Sequence, residues 1–222
     1  MLREKVVLIY SGGVDSTTLL YLLRSEGHDV SCLGINYGQR HLKELESAEQ
    51  ICKDLGVRFE IADLSGIRYL LRGSSQTSDS VDVPEGYYTD ESMRLTVVSN
   101  RNMIMLSVAA GWAISLGAGV IAYAAHLGDH SVYPDCRQEF VLAMSGVLEL
   151  CHYSKIALYA PFQAYDKASI VQLGARLGVP YSGTWSCYKG LGFHCGRCGT
   201  CVERREAFQL AGVVDPTIYQ SV

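Results

Sequence analysis

The sequence predicts an α/β fold: a doubly wound, mostly parallel five-stranded sheet followed by a small cysteine-rich module. Three observations carry this. Short apolar runs without polar alternation, the mark of strands buried on both faces, alternate along the chain with stretches whose apolar residues keep helical spacing. The first run, Val6 to Tyr10, leads into Ser11-Gly12-Gly13-Val14-Asp15-Ser16 and then into leucines at helical spacing, so strand, tight turn and helix follow one another. Of the 8 cysteines, Cys187, Cys195, Cys198 and Cys201 crowd together near the C-terminal end.

The first helix should end near Ser25-Glu26-Gly27, with Gly27 as its C-cap. Val30 to Ile35 reads as the second strand, with Cys32 in the core. The polar loop from Asn36 to His41 then leaves a strand's C-terminal end, where open α/β sheets build their sites. Arg40 and His41 are therefore candidate ligand contacts, although a solvated loop fits equally well. Leu42 to Leu55 has an apolar helical face that includes Cys52 and stops at Gly56. Val57 to Ala62 is the third strand. The β-α-β-α-β order argues for parallel strands and right-handed crossovers.

Residues 64–96 break this rhythm. A long polar connection inside a compact domain reads as a lid or a mobile loop, or else as an insertion without a role. Helix returns from Asn100 to Leu116. Arg101 stands at its start, where the helix dipole disfavours a cation, and this suggests an anion-binding task. Val120 to Ala125 is the fourth strand. The stretch 126–137 carries His126, Asp129, His130, Tyr133, Asp135 and Arg137. A metal site is conceivable there, but the spacing matches no standard ligand pattern, and substrate recognition is the preferred reading. Phe140 to Leu150 is a helix and Ala157 to Ala160 a fifth strand. A helix from Lys167 to Leu177 places Lys167 in its first turn, a natural position beside a phosphate. The expected division is a nucleotide-binding domain, 1–180, and a helical tail, 181–222.

The glycine turn has the makings of a phosphate loop. Without side chains, Gly12 and Gly13 let backbone N–H groups approach an anion, and the helix start adds partial positive charge. The Walker and Rossmann patterns are both absent here. Ser-Gly-Gly-x-Asp-Ser after an N-terminal strand resembles the PP-loop of ATP pyrophosphatases, which cleave ATP between the α- and β-phosphates. A plain glycine turn capped by Asp15 is the alternative. On the PP-loop resemblance, the ATP-binding residues are Tyr10, Ser11, Gly12, Gly13, Val14, Asp15, Ser16, Thr17, Thr18, Leu19 and Leu20, with Asp15 helping to hold Mg²⁺.

Cys187-x₇-Cys195-x₂-Cys198-x₂-Cys201 can close a tetrahedron of thiolates around one zinc. Iron–sulfur ligation is the rival, but the fourth cysteine lies upstream and no other redox motif accompanies it. A four-thiolate zinc has no open position and would be structural. The net charge of −4 argues against a bulk nucleic-acid binder. No basic segment precedes the first apolar run, and no run approaches the roughly 20 apolar residues of a membrane span. The expectation is a cytoplasmic protein without a membrane or stable nucleic-acid partner.

The match then extends along the whole chain. Ser11 to Ser16, Gly38-Gln39-Arg40, Arg101-Asn102, Gly128-Asp129, Tyr133-Pro134-Asp135-Cys136-Arg137, Thr184-Trp185-Ser186-Cys187-Tyr188, Cys195-Gly196-x-Cys198, Cys201-Val202-x-Arg204 and Asp215-Pro216-Thr217 resemble the 7-cyano-7-deazaguanine (preQ0) synthase family. The resemblance implies an adenine-nucleotide α-hydrolase-like fold and an ATP-dependent carbon–nitrogen ligase of queuosine and archaeosine biosynthesis. Such an enzyme turns 7-carboxy-7-deazaguanine and ammonia into the nitrile through an adenylate and an amide. It implies Ser11, Asp15, Ser16, Arg101 and Lys167 as catalytic residues and a homodimeric state. Arg40, His126, Asp129, Tyr133, Asp135, Arg137 and Tyr188 would contact the substrate. One departure is visible: the family usually has Val-Pro-x-Arg-Asn where this chain has Val98-Ser99-Asn100-Arg101-Asn102. Two alternatives share the activation chemistry. One is a paralogue that joins the deazaguanine carboxylate to a protein amine, and the other is a PP-loop enzyme that modifies tRNA.

Overall fold

The computed structural model describes residues 3–220 except 41, 88, 130–132 and 191, and leaves out the side chains of residues 90 and 129. His41 and His130 therefore lie outside the described residues. Five strands form one sheet: β1 (Lys5–Ile9), β2 (Asp29–Asn36), β3 (Arg58–Asp63), β4 (Val120–Ala122) and β5 (Ala157–Tyr159). Their order is β3-β2-β1-β4-β5, and every neighbouring pair is parallel.

β1 is central, which explains its unbroken apolar run. Val7 faces a layer made by α4 (Arg101–Leu116) and α5 (Gln138–Leu150), where Leu106, Ala109, Ala113, Met144 and Leu148 pack. Val6 and Leu8 face the other layer, made by α1 (Val14–Ser25), α2 (Lys43–Leu55) and α6 (Lys167–Arg176). Leu19, Leu20, Ile51 and Ile170 fill that face. Cys32 and Cys52 are fully buried in the same cluster, as small core residues.

The fourth strand is shorter than expected and stops at Ala122. Beyond Tyr123 the backbone finds other partners. The Gln163 amide donates to the Ala125 carbonyl (3.2 Å) and the Leu127 N–H to the Tyr165 carbonyl (3.0 Å). This turns the chain out of the sheet toward α1.

Residues 64–96 also differ from expectation. They hold a short 3₁₀ turn at Ser65–Leu70 and a short helix, α3 (Asp90–Arg94), started by a Thr89–Ser92 capping box. Between these, Ser74, Ser75, Gln76 and Thr77 are buried. Two of their side chains serve the backbone: Ser74 Oγ accepts the Gln76 N–H (3.1 Å), and Thr77 Oγ1 donates to the Leu71 carbonyl (2.5 Å). Their carbonyls tie in two arginines, with Arg68 Nε donating to Thr77 (2.7 Å) and the Arg40 N–H to Gln76 (2.8 Å). The segment then reaches the cysteine-rich tail, where the Gly86 N–H donates to the Arg197 carbonyl (2.8 Å).

The tail carries α7 (Gly199–Ala211), whose Ala207 and Phe208 pack with Val14, Val171 and Tyr181. The α1–α6 contact beneath them is tight. A Cβ on Gly174 would run into the Tyr181 hydroxyl and come within 2.7 Å of Thr18 Oγ1. Those two hydroxyls bond each other at 3.0 Å. Overpacking of this kind costs about 1–3 kcal/mol. Gly174→Ala should therefore lower the unfolding free energy measured in urea by an amount in that range, and an unchanged value would contradict the packing described.

Candidate functional site

The sheet reverses its direction of growth between β1 and β4, since the chain runs outward from β1 through β2 to β3 and then returns on the other side. Loops diverge at such a switch point and leave a crevice at the strands' C-terminal ends. A cavity of about 240 Å³ lies there, with Ser11, Asp15, Arg101, His126, Lys167 and Tyr188 in its walls. A larger hollow of about 630 Å³ opens at the N-terminal ends of the strands, beside Arg3, Lys5, Arg24 and Arg58. It contains no part of the glycine turn, and the chemistry of the chain is not there.

One end of the crevice is the glycine turn. Gly12 has φ of +75°, a left-handed conformation that glycine adopts without penalty. A Cβ at this position would lie 2.6 Å from the Glu44 carbonyl and 2.7 Å from the Ala48 amide nitrogen, both backbone atoms of α2. On the other side, the Gly12 carbonyl accepts the Trp185 N–H at 3.0 Å. Gly13 is the N-cap of α1 and offers no side-chain cap, so first-turn N–H groups face the crevice without an internal acceptor. Ser11 Oγ and Ser16 Oγ sit 3.1 Å apart and the Gly13 N–H donates to Ser11 Oγ at 3.3 Å. The turn is thus held in shape by its own hydrogen bonds.

Beside it lies a charged cluster. Lys167 Nζ stands 3.4 Å from Asp15 Oδ2 and 2.8 Å from Glu203 Oε2, joining α1, α6 and α7. His126 Nε2 is 3.8 Å from the same Asp15 oxygen. His126 Nδ1 accepts the Gly128 N–H at 3.1 Å, so in the neutral ring Nε2 carries the proton. Burial pushes the Asp15 carboxyl up, but Lys167 and then His126 outweigh it and hold it below the usual carboxylate range. Asp15 Oδ1 is buried without a hydrogen-bond partner among the described residues.

The other end is aromatic. The Arg101 guanidinium lies 6.0 Å from the centre of the Tyr37 ring. Burial opposes its charge, but Tyr37, Tyr188 and Tyr133 more than offset this, and it stays a cation. Asn100, with φ of +58°, turns the chain into α4; Asn tolerates this region better than most residues. Asp135 then anchors the helix start, accepting the Asn102 N–H at 3.0 Å. Glu44 also lines the cavity. Burial pushes its carboxyl up to about 7, against the opposing pull of Arg101 and the Gln39 hydrogen bond.

The four tail cysteines are buried, with sulfurs all within 4.8 Å of one another. Four soft thiolates gathered so closely suit a tetrahedral zinc. The surrounding shell is built to hold them. Arg204 is fully buried and donates to Asp215 (3.2 Å), Thr184 (2.8 Å), Ser186 (3.1 Å) and the Tyr181 carbonyl (3.0 Å). Burial lowers the His194 imidazole to about 4, so it stays neutral and accepts the Ser186 N–H at 3.1 Å.

The crevice gathers Tyr10, Ser11, Gly13, Asp15, Ser16, Arg101, His126, Tyr133, Lys167 and Tyr188. Other expected contacts stand apart from its walls. Val14, Thr17, Thr18, Leu19 and Leu20 are buried within α1. Arg40 donates to the Val81 carbonyl (3.0 Å) and pairs with Asp79 at 3.6 Å. Asp135 serves α4, Arg137 is exposed, and the Asp129 side chain lies outside the described residues. Sequence reading missed Tyr37, Glu44, Asn102, Cys136, Thr200 and Glu203, which also line the crevice. For Glu44 and Glu203 no signal stood out, because acidic residues on helices are ordinary.

The metal reading has a direct consequence. Elemental analysis of protein purified without chelator should find one zinc per chain, and iron would favour a cluster instead. Cys198→Ser should lose the metal and open the tail first, because metal-binding energy there is folding energy. Limited proteolysis should then cut within 181–222 while the sheet persists; equal loss of both regions would contradict this.

The family model described as Queuosine biosynthesis protein QueC matches residues 5–212. The chain is 49% identical over 219 residues to a 7-cyano-7-deazaguanine synthase of Marinobacter nauticus, covering 99% of each. It is 51% identical over 216 residues to one from Caldicellulosiruptor bescii, covering 97% of each. Distant solved structures share the fold. An NH3-dependent NAD synthetase from Campylobacter jejuni aligns at TM-score 0.50 and 19% identity, over 81% of this chain and 66% of that one. A 4-thiouridine synthetase solved with RNA and bound ATP aligns at 0.52 and 16% identity, over 94% of this chain and 50% of that one. With a family model spanning most of its length and relatives near half identity end to end, the chain belongs to the QueC family of queuosine biosynthesis proteins.

Proposed function

We infer that this protein converts 7-carboxy-7-deazaguanine and ammonia to 7-cyano-7-deazaguanine, consuming ATP and passing through an adenylate and an amide. The observation that carries this reading is one crevice whose walls hold both the glycine turn and, with Tyr37, Tyr133 and Tyr188, the side chains of Glu44 and Arg101. Activation is required because neither oxide nor hydroxide leaves a carboxylate or an amide at neutral pH. The substrate carboxylate attacks the α-phosphate, and pyrophosphate departs into the Gly12–Gly13 turn. Backbone N–H groups, Ser11, Ser16 and Lys167 stabilise that charge, each such donor being worth about 3 kcal/mol in a site sheltered from water. Ammonia then attacks the adenylate carbonyl and AMP leaves. The amide oxygen is activated in turn, and its departure with loss of the nitrogen's protons forms the nitrile. The His126 Nε2–H beside Asp15 can exchange protons at this end.

The unpartnered Asp15 Oδ1 fits Mg²⁺, with which it would share the phosphates; such an ion withdraws charge from them when bound. Zinc on Cys187, Cys195, Cys198 and Cys201 is structural. We assign nucleotide chemistry to 1–180, while the tail, 181–222, adds Tyr188, Thr200 and Glu203 to the crevice wall. The net charge of −4 favours a small substrate over tRNA. An exposed apolar row on α5, Leu142, Val147 and Leu150, supports a homodimer. No helix among the described residues is long and apolar enough to cross a membrane, which accords with a cytoplasmic enzyme.

Two outcomes are expected. Gly12→Ala must push α2 away from the turn, and a displacement near 1 Å at a reacting group costs about 100-fold. Its pyrophosphate release should fall by at least that factor while zinc stays bound, and normal turnover would refute the loop assignment. Mass spectrometry of the reaction with carboxylate, ATP and ammonium should show an amide that rises and decays. The synthetic amide with ATP alone should also yield nitrile. An inert amide, or a base found attached to protein, would point to the conjugating paralogue.

A further inference from the structure

Glu44 is an unexpected group to find in a crevice that takes a nucleotide. A carboxylate in this crevice repels anions, so it needs a ligand that brings N–H donors. Its own donor among the described residues is Gln39 Nε2, at 3.1 Å from Oε1. A carboxylate can accept about four hydrogen bonds, so most of this capacity is open to a ligand. Gln39 is itself fixed: its Oε1 accepts the Tyr37 N–H (2.9 Å) and its Nε2 also reaches the Ile35 carbonyl (3.3 Å). Glu44 is therefore positioned from β2 and its following loop. Arg101 comes from the start of α4 and lines the same cavity, where its charge pulls against the burial that raises the Glu44 carboxyl. No hydrogen bond or ion pair among the described residues joins Arg101 to the phosphate turn, which has Lys167 instead. Tyr37 offers a flat face beside the guanidinium.

We propose that Glu44 and Arg101 together read the base of the substrate. Glu44 accepts hydrogen bonds from the ring N1–H and the exocyclic 2-amino group, and Arg101 donates to the 6-oxo group. This rests on the function proposed above and names the recognition residues for it. A deazaguanine presents donor, donor and acceptor along that edge, the complement of a carboxylate next to a guanidinium. Adenine presents an acceptor at N1, which a carboxylate repels, so the pair discriminates between the two purine-like rings that share the crevice. The same pose is consistent with the chemistry. The C7 carboxylate projects from the other ring of the base, so anchoring the pyrimidine edge at the aromatic end leaves it free to extend toward the glycine turn.

The experiment compares 7-carboxy-7-deazaguanine with its analogue lacking the 2-amino group, in the zinc-loaded full chain and in Glu44→Gln. Sites built around a substrate N–H reject analogues lacking it strongly, by up to about 10⁴-fold. The unaltered protein should favour the parent base by at least about 30-fold in kcat/KM. Glu44→Gln should lose most of that preference and raise KM for the base, leaving KM for ATP within about 2-fold. Arg101→Lys should raise KM for the base in the same way. A small preference in the unaltered protein overturns the assignment without any variant. So does a preference that survives Glu44→Gln, or a rise in KM for ATP instead of the base. If the unaltered protein forms no adenylate or amide from the carboxylate at all, the function proposed above fails, and direct binding of the two bases by calorimetry, in both proteins, still decides the role of Glu44.

Discussion

The backbone of Gly12 is pressed from two sides, and the site depends on that contact. On one side the first turns of α2 come so close that no side chain fits; on the other the tail holds the Gly12 carbonyl through Trp185. One residue thus ties the strand that supplies the phosphate turn, the helix that supplies Glu44, and the module that carries the cysteines. Close approach of backbone to backbone is a constraint only glycine meets at this φ. It also explains why the tail belongs to the site. Trp185 packs on His194 at 4.3 Å between centroids, and His194 neighbours Cys195, so the cysteine cluster is linked to the turn through packed rings and one backbone hydrogen bond.

The tail's other anchor is electrostatic. A fully buried arginine carries a heavy desolvation cost unless its donors are met. Arg204 meets it with a carboxylate, two hydroxyls and a carbonyl, and its guanidinium lies 5.0 Å over the Phe208 ring. Two of those partners, Thr184 and Ser186, flank Trp185. The same arginine that holds α7 in place thereby fixes the segment that holds Gly12, and α7 brings Glu203 to Lys167.

The sheet, its order of elements and the cysteine cluster were legible because each rests on local rules. Unbroken apolar runs mean burial on both faces, and β1 between two helical layers satisfies this. The phosphate turn was legible because its residues are contiguous. The rest of the site was harder because it is assembled across the fold. Arg40 looked exposed to ligand at a strand end, yet residues 64–96 fold back and occupy it through Asp79 and Val81. Asp135 looked like a recognition group and instead caps α4. Glu44 is one of two acids in the first turn of α2, where the dipole favours them. What distinguishes it from Glu46 in the same turn is the hydrogen bond from Gln39, five residues earlier, and a place in the cavity wall with Arg101, far along the chain.

Charge balance at the phosphate end completes the logic. Lys167 does not stand there as a lone cation; it is shared between Asp15 and Glu203. With both carboxylates ionised, this trio carries a net negative charge, which by itself would repel a triphosphate. On the function proposed above, a nucleotide arriving with a divalent cation would resolve the conflict: Asp15, whose Oδ1 has no hydrogen-bond partner among the described residues, would hold the cation, and the N–H groups of the turn would meet the phosphates. Lys167 could then turn toward the phosphates, since the cation would meet the charge of Asp15. Lys167 and then His126 hold the Asp15 carboxyl below the usual range, as cation binding requires. Two acids around one lysine would therefore favour phosphate together with its counter-ion over free phosphate, a selectivity that the glycine turn alone does not supply.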